Sequence, residues 1–151
     1  VGRKVRDRRS ILRAAADVGV PVFCPGLADS MLGLHAWLEA EKGRLRVDAL
    51  RDMKEIVELC FQVERSGAVF IGGGVPKNFI LQAMLVSPNT FDYAIQITMD
   101  RPETGGLSGA TLDEAISWGK VGKRARRATV YADATIALPV IFAALLERTK
   151  K

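Results

Sequence analysis

Four short apolar runs constrain this chain more than any other feature. They read VPVFCPGL, AVFIGGG, DYAIQIT and ATVYADAT, and a stretch with helical spacing follows each of them. Apolar runs without strict alternation fit strands buried on both faces. Strands that alternate with helices fit a parallel sheet with helices on both faces, the Rossmann-like layer arrangement. The helices expected are SILRAAADVG, ending at Gly19, and DSMLGLHAWLEA, with Asp29 or Ser30 as its cap. A longer helix is expected over about residues 47–65, with Ala49, Met53, Ile56, Val57 and Cys60 on one stripe. NFILQAMLV, TLDEAISWGKV and LPVIFAALLERT follow, the last with Pro139 suited to its start. With 151 residues and no repeat or low-complexity linker, the chain reads as a single α/β domain over 1–151.

Composition removes several kinds of chemistry. His35 is the one histidine, so neither a zinc site nor a Ser-His-Asp triad assembles, and GGLSGA misses the spacing of a nucleophile elbow. His35 itself reads as a half-buried helix residue. No metal is expected. Cys24 and Cys60 lie far apart, which fits a reduced intracellular chain without a disulfide framework. The opening VGRKVRDRRS has no apolar run behind it, and ATIALPVIFAALL is shorter than the ~20 residues of a membrane span. The expectation is a cytoplasmic protein away from membranes. The net charge of +5 gathers partly in GKVGKRARRA, with Lys120, Lys123, Arg124, Arg126 and Arg127. No aromatic residues interleave that run, so a solvated, partner-facing loop is expected rather than a nucleic-acid site.

In sheets of this kind, ligands bind beyond the carboxyl ends of the strands. That rule selects residues 25–30, 72–78, 98–109 and 132–135, which hold much of the glycine and small polar content. The glycines at 72–74 stand between a strand and a helix, where backbone N–H groups and a helix N-terminus suit a phosphate. They also suit a plain tight turn. The pattern is neither GxGxxG nor Walker-type, because Lys77 falls at the wrong place.

TLDEAISWGK holds the sharpest question. Asp113 and Glu114 suit the first turn of a helix. Glu114 and Trp118 share a face, but Lys120 lies about 240° round from Glu114 on an unbroken helix. Gly119 is placed to end the helix and turn Lys120. Lys120 then either caps the helix or acts as an amine nucleophile, kept neutral part of the time beside the Trp118 ring. Spacing leaves both open.

Six blocks, FCPGLADSMLG, FIGGGVPKNF, DYAIQIT, GGLSGAT, DEAISWGK and VYADATIALP, stand in the order and spacing of deoxyhypusine synthases, which this chain resembles from about Ser10 onward. The resemblance implies an NAD-dependent transferase that takes an aminobutyl group from spermidine as an imine on an enzyme lysine. That group then passes to a lysine of a translation factor. Lys120 matches the imine-forming lysine, Trp118 the tryptophan along the polyamine, and Glu114 a carboxylate for amine charge. Asn78, Gly105 and Gly106 fall on the substrate side, and Asp29, Gly73, Asp133 and Ala134 match positions that contact NAD. Family members are tetramers of roughly twice this length, so the resemblance implies a C-terminal half that associates with itself or with a separate N-terminal half.

The chain also departs from that pattern. Asn78 stands where a histidine is usual, Thr104 and Leu107 where aspartates are usual, and Leu34 near an expected acidic position. Desolvated amine charges need partners, so a site without these groups binds spermidine less well. GGVPKNF with GGLSGAT resembles the deoxyhypusine-synthase-like branch, in which the lysine stays and the amine pocket differs. Two alternatives follow: a homospermidine-synthase-like enzyme acting on small diamines, and a non-catalytic partner subunit.

Overall fold

A computed structural model describes residues 2–150. The chain divides into two compact units, one reaching to Arg46 and the other beginning at Val47.

The first unit is helical. Helix α1 (Ile11–Val18) ends at Gly19, whose φ of 72° lets the chain turn left-handed while Val20 N–H bonds back to Ala15. Helix α2 (Met31–Glu41) starts at Ser30, whose hydroxyl accepts from Gly33 N–H at 3.0 Å. Ser30, not Asp29, is therefore the cap. Ser30→Ala should cost the unit about 1 kcal/mol, readable as a lower melting temperature, and an unchanged melt would show that the cap carries nothing.

Two expectations fail in this unit. VPVFCPGL forms no strand: residues 20–24 lack regular structure and Leu27–Asp29 make a 3-10 turn. Pro21 and Pro25 have no N–H to give a ladder, and Val20 and Val22 remain exposed. His35 does lie on a helix but is exposed, because α2 buries none of its residues.

The second unit is α/β, with a parallel three-stranded sheet flanked by helices. Helix α3 (Ala49–Gln62) is capped by Asp48, and Met53, Ile56 and Val57 line up with buried Cys60 as the stripe required, while Ala49 at the helix start is exposed. Strand β1 (Gly67–Ile71), helix α4 (Val75–Val86), strand β2 (Phe91–Thr98), helices α5 (Gly106–Gly109) and α6 (Leu112–Ser117), strand β3 (Val121–Tyr131) and helix α7 (Ala134–Thr149) follow in order. The strands lie side by side as β1-β2-β3. The core joins Phe70 of β1, Leu81 and Met84 of α4, Ala94 of β2, and Leu112 and Val121 at the ends of α6 and β3.

Strand β3 starts well before ATVYADAT, so the basic run is strand and not loop. Lys123, Arg124, Arg126 and Arg127 all lie in it. Charges are tolerated there because β3 is an edge strand, where they also discourage further pairing. The register with β2 jumps from Phe91↔Val121 to Tyr93↔Arg126. The jump leaves residues 122–125 bulged, which hides the strand period in the sequence. Helix α7 also starts early. The Asp133 carboxylate accepts from Thr135 N–H at 2.7 Å and from its hydroxyl at 2.6 Å, which places Pro139 inside the helix and not at its start.

Those two donors hold the Asp133 carboxyl below its ordinary range, the hydroxyl contributing most. A depressed folded pKa adds stability above the unfolded value and loses it as pH falls through the folded one. Acid melts should show this dependence, and Asp133→Ala should flatten it. The same slope in both proteins would contradict the cap.

Candidate functional site

The stretch TLDEAISWGK folds as a short helix closed at both ends. Thr111 caps α6, its hydroxyl accepting from Glu114 N–H at 3.2 Å. At the other end Gly119 takes φ 73°, its N–H bonds to Ile116 O at 2.9 Å, and Lys120 N–H bonds to Ala115 O at 2.9 Å. This pair of bonds is the Schellman closure, for which a left-handed glycine is favoured. It reverses the chain after Trp118. Lys120 therefore leaves the helical path that would have put it on another face from Glu114.

The result is a small cavity of about 70 Å³ lined by Asn78, Leu107, Thr111, Glu114, Trp118 and Lys120, with Lys77 in its wall. Asn78 comes from the second turn of α4, Glu114 and Trp118 from α6, and Lys120 from the turn into β3. Four of the expected substrate-side residues are thus gathered in one place. Lys120 Nζ stands 5.8 Å from the Trp118 ring centroid, within reach of a cation–π contact. Trp118 itself is 62% exposed, so it flanks Lys120 without enclosing it. Gly105 and Gly106 are not in the lining. They lead into α5 at φ 72° and 78° and carry the segment whose Leu107 reaches the cavity.

Sequence reasoning set Lys77 aside, yet it is 4% exposed. Its ammonium donates to Ala110 O at 2.5 Å, Gln96 Oε1 at 3.1 Å and Leu107 O at 3.4 Å. Burial pushes its pKa down, and the Glu114 carboxylate opposes that shift. A signal was present: Lys77, Leu81 and Met84 stand at i, i+4 and i+7, and all three are buried. A lysine within such a stripe is a buried lysine.

A second concavity, of about 300 Å³, lies where the three strands end, lined by Gly72, Thr98, Asp100, Asp133 and Ala134 among others. It offers two carboxylates, which suit ribose hydroxyls, and backbone at the Gly72 turn. Its residues therefore fit part of a dinucleotide. Gly73 lies beside this turn against Ser108: a Cβ built on it would fall 2.5 Å from Ser108 Cα. Asp29 belongs to the first unit, as the last residue of its 3-10 turn. Among the described residues no cluster of three His, Cys, Asp or Glu could hold a metal, and no helix is long and apolar enough to cross a membrane.

Comparison with known proteins gives a consistent picture. The family model described as deoxyhypusine synthase matches residues 1–145. A probable deoxyhypusine synthase 1 of Methanosarcina acetivorans is 62% identical over the whole chain, which spans 48% of that protein. One from Archaeoglobus fulgidus is 53% identical over 98% of the chain and 48% of its own length. A probable deoxyhypusine synthase 2 of Methanosarcina acetivorans is 43% identical over 99% of the chain and 45% of its own length. The chain spans about half the length of the curated relatives it matches.

Proposed function

Because the chain belongs to the deoxyhypusine synthase family, we propose that it is the lysine-bearing part of an amine transferase that works through an imine on Lys120. The observation that carries this reading is the Schellman turn at Gly119, which brings Lys120 into one cavity with Glu114 and Trp118.

NAD, when bound, supplies the acceptor for a hydride from the carbon next to the donor nitrogen. Asp133, Ala134 and Gly73 are the residues of the second unit that would hold it. Lys120 Nζ then adds to the oxidised carbon, expels the leaving amine and keeps that carbon as an imine. An acceptor amine then displaces Lys120 from that carbon and frees its Nζ, and the hydride that NAD had taken up would supply the reduction of the new imine to a secondary amine. Glu114 takes the ammonium charge of the donor, and the Trp118 ring lies along its chain. The donor class is a diamine or polyamine. The acceptor is a small diamine, as in homospermidine synthesis, or the lysine of a translation factor. The lining has Asn78 and Leu107 and one carboxylate, which favours a donor with fewer charges than spermidine.

The apolar face of α7 supports association. Ile136, Val140, Phe142 and Leu146 are each more than half exposed, a pattern that marks an interaction surface. The occupant proposed is a second copy or a separate chain carrying the remainder of the family fold.

Incubating the chain with NAD and a panel of di- and polyamines, and following NADH absorbance, tests the reading. Amine-dependent NADH is the expected result, and none with any amine would contradict it. A second reading, a non-catalytic partner subunit, draws on Asn78, Thr104 and Leu107. It predicts NADH only when a full-length synthase is added, with Lys120→Ala making no difference.

A further inference from the structure

Gln96 sits in β2 with 1% of its surface exposed. Its amide joins segments that are distant in sequence: Nε2 donates to Gly72 O at 3.3 Å and to Ser108 O at 3.0 Å, and Oε1 accepts from Lys77 Nζ at 3.1 Å. Lys77 carries the link on to Leu107 O and Ala110 O. Both amide protons and all three ammonium protons are therefore in use. Between them, two buried side chains hold the carbonyls of Leu107, Ser108 and Ala110.

That segment has little else of its own to hold it in shape. It is entered through two glycines at positive φ, and α5 is four residues long, far below the length at which a helix sustains itself. Gly73 lies against it, so close that a Cβ built there would fall 2.5 Å from Ser108 Cα. Leu107, Ala110 and Thr111 form one wall of the cavity that holds Lys120.

We propose that Gln96, acting with Lys77 and through the carbonyls of residues 107–110, is a positioning residue that locks this wall and sets how tightly the cavity grips its amine or aldehyde. Gln96 does not line the cavity. The lock rests on the hydrogen bonds alone, and only its effect on turnover rests on the Lys120 reading.

Two variants separate the parts of the lock. Gln96→Met keeps the bulk and removes every polar contact. Gln96→Glu keeps an acceptor for Lys77 but turns oxygen toward the Gly72 and Ser108 carbonyls. The 151-residue chain would be followed by amide hydrogen exchange and by borohydride trapping of butanal. In trapping, the aldehyde carbon joins Lys120 Nζ, water leaves, and hydride from borohydride reduces the imine to a secondary amine.

The expected result for Gln96→Met is about tenfold faster exchange across residues 107–111, with α3 and β1 unchanged. The butanal concentration for half-maximal trapping should rise by about the same factor, with the maximal rate within about twofold. Gln96→Glu should loosen Ser108 more than Ala110. A merely structural role would lower the amount of trappable protein and leave half-saturation where it was. Unchanged exchange together with unchanged half-saturation overturns the proposal. If the unaltered chain never labels at Lys120, the imine reading fails and exchange alone decides the lock.

Discussion

Lys120→Arg is expected to abolish trapping of an amine-derived adduct, by on the order of 10³-fold or more, while leaving the melting temperature unchanged. Arginine keeps the positive charge and most of the stem, but a guanidinium is not deprotonated at working pH and offers no free amine to form an imine. If Lys120 served only to place a cation beside Trp118, arginine would serve as well, since guanidinium also stacks on aromatic rings. The fold should not notice the change. The groups of Lys120 that build the α6–β3 turn are its N–H, bonded to Ala115 O, and its carbonyl, which accepts from Phe91 N–H. Both survive any side-chain change. Full trapping in Lys120→Arg would remove the lysine from the chemistry.

Gly73→Ala carries the second large effect. Gly73 is not among the glycines at positive φ, so alanine meets no backbone strain there. The obstacle is the backbone of residue 108: the new Cβ would fall 2.5 Å from Ser108 Cα and 3.1 Å from its Oγ. A main-chain atom cannot swing aside as a side-chain tip can, so the 72–74 turn and the 107–110 segment must separate. Overpacking of this kind costs about 1–3 kcal/mol, and it displaces a wall of the Lys120 cavity. Gly72→Ala is the control. Nothing lies within 4 Å of its Cβ, but its φ is 78°, so its cost of about 1–2 kcal/mol comes from backbone conformation. Melts should fall for both, and trapping at Lys120 should weaken only for Gly73→Ala. A Gly73→Ala protein as stable as its parent would mean that the two loops are not in contact.

The sequence made local closures readable because each rests on a few adjacent residues. Gly19 and Gly119 end helices, and Ser30 and Thr111 begin them, through bonds that reach three to five residues along the chain. The equally local Asp133 cap went unread because Pro139 suggested a later start. The same locality explains why TLDEAISWGK could pose the right question about Lys120. What stayed hidden depends on distant partners. Whether VPVFCPGL is a strand is decided by ladder partners, which its composition does not reveal. The first half of β3 is strand because β2 pairs with it across a bulge, although its side chains spell a solvated run. Gln96 gave no local sign of its role, since the carbonyls it joins lie 24 and 12 residues away. Lys77 was nearer to legible, through its stripe with Leu81 and Met84. The rule of ligands at strand carboxyl ends found the concavity at Gly72, Asp100 and Asp133, but the Lys120 cavity extends beside α4 and α6 to the amino end of β3.

The most direct test of the central claim is to incubate the chain with NAD and each of a series of diamines and polyamines, reduce with borohydride, and map the adducts by mass spectrometry. An added mass on Lys120 is expected, absent without NAD, whose size names the carbon fragment taken from the donor. An adduct on another lysine, Lys77 included, or none with any amine, would contradict it.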